Sequence, residues 1–335
     1  MGFAGRLALA AVLGALASAP LGAQPAYRPL GAVLTSKPNG YFYAYAPTIM
    51  REGDTWHLWY CSTGDGRAWD FVRYATSGEG RSWSAPAIAL RASAGPHERA
   101  ACDPSVVRFQ ARDDARPYYY LFYSGTPQGT NTAMFVARAE RPTGPFAKWT
   151  GAAWEPDGPA TPIIRPAVPH GDGSGFYGAG QQSVVVRDGR LHAWFLDDTT
   201  CGAERCEKIF ATATDDPTSW PDRQETDVRV SSVDVKWDAV TRRYTMVAIA
   251  NPHVFGSFLV RYGSADGINW GRPEIVAQPT AFTHYAHNAG QAGDPSGHTV
   301  AGDTLVMFGA PRAAECGTCW GYWDLAGGLV PGRGR

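Results

Sequence analysis

The sequence predicts an all-β fold, a five-bladed β-propeller of four-stranded antiparallel blades. Three observations carry this. First, a thirteen-residue phrase occurs twice: residues 71–83 read FVRYATSGEGRSW and residues 258–270 read FLVRYGSADGINW, with Ser, an acidic residue, Gly and Trp at matching offsets. Looser echoes, KIFATATDDPTSW ending at Trp220 and MFVARAERPTGPF ending at Phe146, lie between them. A phrase recurring every ~50 to 75 residues marks an array of small sheets. Second, five strand–turn–strand units can be aligned upstream of these phrases. Third, no stretch shows the periodicity of a long amphipathic helix.

The units follow in order. The first runs from Ala46 to Arg51, turns at Glu52-Gly53-Asp54 and continues from Trp56 to Tyr60. The second pairs residues 103–108 with 118–123. The third pairs residues 181–187 with 191–196 across an Asp188-Gly189 turn. The fourth pairs residues 232–236 with 243–249. The fifth is aligned on Gly293-Asp294-Pro295-Ser296 and continues over residues 304–308. Each first strand is small and β-branched, suited to a crowded inner position. Each second strand is aromatic on both faces, as a strand sandwiched between neighbouring sheets must be. Residues 30–35 complete the last blade and remove an exposed sheet edge. The Trp closing each phrase packs between blades.

Composition bounds the function. The net charge is −1 and 44% of residues are apolar, so a large core is available while no global field attracts nucleic acid or an anionic membrane. Residues 1–23 read as an export signal: Arg6, an apolar run over residues 7–16 too short to span a bilayer, then small residues near Ala19 and Ala23. Residues 24–335 then form a single propeller domain, periplasmic or extracellular, monomeric, with no membrane contact after cleavage. Six cysteines suit disulfides in that compartment. Cys201 with Cys206, Cys61 with Cys102, and Cys316 with Cys319 are the expected pairs. There is no GxSxG elbow, HExxH helix, P-loop or Rossmann fingerprint.

Several motifs resemble the five-bladed propeller glycosidases, notably glycoside hydrolase families 43 and 62. They are Asp103-Pro104-Ser105-Val106-Val107, the phrase from Ser264 to Trp270, Pro142-Thr143-Gly144-Pro145-Phe146 and the run from Tyr177 to Ser183. The resemblance spans residues 41–325. It implies an inverting glycosidase acting on pentofuranose or pentopyranose linkages. Three acids would come from the first strands of blades one to three: a base Asp, a pKa-tuning Asp and an acid Glu. Asp103 matches in blade two. Ala46 stands where the base belongs, and Gln181 or Gln182 where the acid belongs. A Gln cannot donate a proton as a carboxylic acid does.

Other carboxylates are therefore candidates. Inverting hydrolysis needs two carboxyls ~6.5–9.5 Å apart, one protonated and one ionised. Asp103 and Asp234 are the first catalytic candidates, followed by Asp294, which opens the fifth unit in this alignment, and Asp198, which ends the second strand of blade three. Tyr45, Gln181, Gln182, Asp197 and His287 are candidates for binding sugar, Tyr45 as one of three alternating tyrosines with Tyr41 and Tyr43. The loop over residues 169–175 is a candidate rim. The resemblance also allows a structural calcium or sodium ion in the central channel, near His287; no metal ligands can be assigned from the sequence. The expected function is an exported glycoside hydrolase with carbohydrate as its partner. The alternative is a catalytically inactive glycan-binding propeller.

Overall fold

The computed structural model describes residues 27–332 except 36–42, 65–69, 94–97, 128–130, 171–174, 205, 252–256, 278–285 and 312–322. The export-signal residues, Tyr41, Cys316, Cys319 and the centre of the 169–175 loop therefore lie outside the described residues.

The described residues form strands and no α-helix. In chain order the strands are β1 (Arg28–Leu34), β2 (Ala44–Glu52), β3 (Thr55–Thr63), β4 (Asp70–Ser77) and β5 (Ala87–Leu90). Then come β6 (Ala100–Phe109), β7 (Tyr118–Thr126), β8 (Ala133–Ala139), β9 (Ala147–Trp149) and β10 (Trp154–Pro156). The next four are β11 (Ala179–Arg187), β12 (Arg190–Asp197), β13 (Ile209–Thr214) and β14 (Gln224–Glu225). The remainder are β15 (Val233–Asp238), β16 (Arg243–Ala250), β17 (Phe258–Ser264), β18 (Glu274–Ala277), β19 (His287–Gly293), β20 (Thr304–Pro311) and β21 (Trp323–Val330).

Three sheets are antiparallel meanders: β6 to β10, β11 to β14, and β15 to β18. The fourth is a curled eight-stranded sheet ordered β1-β21-β20-β19-β2-β3-β4-β5. It joins two meanders through one short parallel contact, Ala292 beside Ile49 and Gly293 beside Met50. As the sequence predicts, the strand near the N-terminus completes the last unit: β1 pairs antiparallel with β21. Close approach explains a glycine here, since a Cβ on Gly290 would lie 2.0 Å from the Pro47 carbonyl oxygen.

The core lies between sheets. Trp59, Tyr74, Tyr119, Tyr123 and Phe135 pack between β2–β5 and β6–β10. Tyr120, Phe122, Val184 and Phe195 fill the next junction. Trp194, Tyr244 and Trp270 fill the one after. Val247, Leu259, Val306 and Phe308 join β15–β18 to the last unit. Leu58, Tyr60, Leu305 and Met307 join that unit to the first, with Trp83 packed against them. Trp83 and Trp270, the tryptophans that close the repeated phrase, thus pack between sheets.

One register differs from the sequence reading. The fifth unit opens at His287, not at Asp294, which follows β19 in a turn. Asp294 Oδ1 accepts the backbone N–H groups of Ser296 and His298 at 2.8 and 2.9 Å. The turn reaches three other sheets: the carbonyls of Pro295, Ser296 and Gly297 accept from Arg108, Val186 and Trp237. Asp-Pro-Ser at residues 294–296 copies the spelling of residues 103–105, but here it serves a loop.

Candidate functional site at the channel mouth

The site begins with backbone geometry. In four of the first strands the ladder register jumps at one place: between Tyr45 and Thr48, Cys102 and Ser105, Gly180 and Ser183, and His287 and Ala289. Inside these bulges sit Ala46, Asp103, Gln181 and Asn288, with φ of 49°, 46°, 51° and 45°. Left-handed φ is uncommon outside glycine and costs ~1–3 kcal/mol where surroundings must enforce it. A bulge re-aims a side chain and ends regular pairing. The same device in four units puts these residues at equivalent positions. The predicted correspondence of Ala46, Asp103 and Gln181 therefore holds, and Asn288 is the fourth member. All four line one narrow cavity with Thr48, Gln182, Ser232 and Asp234.

Asp103 is buried at this mouth. Its Oδ2 accepts from Tyr177 Oη at 2.8 Å and its Oδ1 from Asn288 Nδ2 at 2.8 Å. Gln182 Nε2 donates to its backbone carbonyl. Burial pushes the Asp103 carboxyl above the usual carboxylate range, against the opposing hydrogen bonds of Tyr177, Ser124 and Asn288. The Cys61–Cys102 disulfide lies directly behind it, with the Asp103 N–H 2.9 Å from Cys61 Sγ. The Cys201–Cys206 bond is also formed.

A second buried carboxyl, Asp70, was not found from the sequence. It opens β4 and accepts from Tyr43 Oη and, at 3.2 Å, from Tyr45 Oη. Burial pushes it up to about 6; the nearby Asp103 adds to the rise and the two phenols oppose it. Contacts run from Asp70 Oδ2 to Tyr45 Oη at 3.2 Å, on to Cys102 Sγ at 3.1 Å, and from there to Asp103 Oδ1 at 3.6 Å. The two carboxyls are therefore no more than about 10 Å apart, the scale on which glycosidic acid–base pairs work. The one sequence signal was adjacency: Asp70 immediately precedes the repeated phrase, after residues that carry no strand pattern.

Partners separate these two from three other buried carboxylates. Glu98 is paired with Lys148 at 2.8 Å, Asp197 with Arg223, and Asp234 with Lys236 at 2.5 Å. Among the described residues, Asp70 and Asp103 have only phenol, amide and hydroxyl donors on their carboxyl oxygens. A buried carboxylate without a cation is costly in its charged form, and such groups cluster at functional sites.

The remaining sequence candidates fall as follows. Asp234 lines the cavity and also accepts from Ser183 Oγ and the Gln291 N–H. Asp198 holds the Tyr177 and Gly178 N–H groups at 2.9 Å each, and so fixes the tyrosine that donates to Asp103. Asp197 takes the Ala167 and Thr199 N–H groups. His287 is buried, stacked on Tyr45 with ring centroids 5.8 Å apart and tilted against Trp323. Asp103, Asp234, Gln181 and Gln182 are thus brought together at the cavity. Tyr45 and His287 stand beside it, Asp198 acts one residue removed, and Asp294 belongs to the turn beyond the far end of β19.

The cavity also holds oxygens without partners. Gln181 Oε1, Ser232 Oγ and Asn288 Oδ1 are buried and accept no hydrogen bond among the described residues. The cavity has about 30 Å³ of internal volume, room for a water or an ion but not a sugar ring. Neutral hard oxygens of this kind fit a calcium or sodium ion.

No protein-family profile and no curated protein matches the chain. Solved structures do. An α-L-arabinofuranosidase from Podospora anserina in complex with cellotriose matches with TM-score 0.63 and 13% identity, over 92% of this chain and 98% of that one. A thermostable family-43 glycoside hydrolase matches with TM-score 0.62 and 12% identity, over 92% and 94%. A family 117 glycoside hydrolase from Zobellia galactanivorans matches with TM-score 0.61 and 14% identity, over 91% and 90%. Across nearly its whole length, then, the chain has the fold of the propeller glycosidases of families 43, 62 and 117.

Proposed function

We propose that this protein is an exported five-bladed propeller glycoside hydrolase acting on a poly- or oligosaccharide, with Asp103 at its reacting centre. The blade count rests on five apolar junctions and on β1 completing the last unit. Export rests on the apolar N-terminal run and is compatible with the two disulfides. Glycoside hydrolysis rests chiefly on one observation: Asp103 is a buried carboxylate without a cation, aimed by a left-handed bulge into the mouth where four equivalent residues converge. It would take the proton of the attacking water. Tyr177 and Asn288 orient its two oxygens, and Asp198 orients Tyr177. Tyr45 and His287, buried and stacked on one another, would back the wall of the sugar site. Gln181, Ser232 and Asn288 would hold a calcium or sodium ion, which would tie three first strands together at the mouth.

A second reading, a glycan-binding propeller without activity, is favoured by Ala46 and Gln181 at two equivalent bulges and by the Lys236 partner of Asp234. Reducing-sugar release from arabinan, arabinoxylan, xylan and related glycans separates the two. Wild type is expected to release sugar, and Asp103→Asn to lower kcat by ~10²–10⁴-fold while glycan binding persists. Binding without any release by wild type would replace the first reading with the second.

A further inference from the structure

We infer that Asp70 is the proton donor of this site, the second carboxyl that works with Asp103 where Ala46 and Gln181 supply none. This deepens the glycosidase reading and rests on it.

Three features of the structure converge on Asp70. It opens β4 at the same end of its sheet as the Ala46 bulge, because Thr63 pairs with Asp70 and Ser62 with Ala44. Its contacts place it within about 10 Å of Asp103. It is buried with two phenols as donors, whereas Glu98, Asp197 and Asp234 each sit against a cation. A carboxyl with a cation partner is held ionised and is a poor acid. One buried without a cation can keep its proton near neutral pH, even against two phenol donors, and release it to a substrate. The titratable groups facing it are Tyr43 and Tyr45 from the β2 side and Asp103 on β6, while the charge of Arg73 on β4 acts on Tyr43.

The step balances without a further reactant. Asp70 gives its proton to the glycosidic oxygen as the bond from that oxygen to the anomeric carbon breaks, and the alcohol leaves. Water adds to the anomeric carbon and gives its proton to Asp103. Solvent returns one proton to Asp70 and takes one from Asp103.

The test uses the full chain and aryl α-L-arabinofuranosides and β-D-xylosides, with leaving groups graded from phenol to 2,4-dinitrophenol. Asp70→Asn is expected to lower kcat on the phenyl glycoside by ~10²–10⁴-fold. The dinitrophenyl glycoside, whose leaving group departs unprotonated, should keep most of its rate. Asp103→Asn should depress both alike. Tyr43→Phe is a second, milder variant. It removes a hydrogen bond that favours ionised Asp70, so the alkaline limb of kcat/KM, where the acid loses its proton, should move to higher pH. If Asp70→Asn loses rate equally on all leaving groups, or loses none, and Tyr43→Phe leaves the pH profile in place, Asp70 is structural and the glycosidase reading survives on Asp103. If wild type cleaves none of these substrates or the polysaccharides, the glycosidase reading falls and the inference with it.

Discussion

Asp70 couples the chemistry of the site to the stability of the chain. Its carboxyl rises from 3.8 unfolded to about 6 folded, so the folded state binds its proton more tightly. The stability this contributes is fully present below pH ~4 and is lost as pH rises through ~6, a change of order 3 kcal/mol. Asp70→Asn should remove that dependence. Melting temperature followed from pH 4 to 7 should fall less steeply in the variant than in wild type. An unchanged slope would mean that Asp70 stays ionised on folding. At this scale the sequence was half legible. Asp103 stood out because it opens a strand in a repeating register. Asp70 did not, because its partners Tyr43, Tyr45 and Asp103 come from other strands, and nothing local marks a carboxyl that the fold will bury.

The repeated phrase is an element with a mechanism. Ser264 Oγ accepts the Gly267 N–H at 2.8 Å, and Ser77 Oγ accepts the Gly80 N–H at 2.9 Å. Asp266 receives the Ile268 and Asn269 N–H groups, which hold its carboxyl well below the usual range. Gly267 has φ of 80°, and a Cβ there would lie 2.7 Å from Trp194 Cζ2. Gly80 has φ of 76° and would meet Leu305 at 3.1 Å. Gly267→Ala should therefore cost ~1–3 kcal/mol by denaturant unfolding, through left-handed strain and displacement of the tryptophan. A neutral result would show that the sheets can part at this junction without loss. The same comparison explains the misaligned fifth unit. That unit carries no copy of the phrase, so Asp-Pro-Ser at residues 294–296 was the nearest anchor, and it belongs to a loop capped by its own Asp.

Across the whole molecule, neighbouring sheets meet through side-chain cores and scattered backbone hydrogen bonds, and among the described residues one covalent tie crosses between them. Cys61–Cys102 joins β3 of one sheet to β6 of the next, across 41 residues of sequence. It is also the contact through which Tyr45 and Asp103 meet. Replacing both cysteines with Ser should lower unfolding free energy by ~2–4 kcal/mol. It should also lower kcat more than a distant destabilising change of equal size, such as Gly267→Ala. Equal losses of activity would show that the disulfide stabilises the chain without placing Asp103.

What the sequence by itself determined is the repeat: strand–turn–strand units, tryptophans between sheets, both described disulfides, and the equivalence of Ala46, Asp103 and Gln181. These follow from local rules, namely strand alternation, turn chemistry and a phrase long enough to set register. The tertiary structure alone decided which carboxyls stay without a cation. Lys236 reaches Asp234 and Arg223 reaches Asp197, while Asp70 and Asp103 meet phenols and amides. Those partners come from separate strands and sheets, and burial charges its desolvation cost only once the sheets have closed around them.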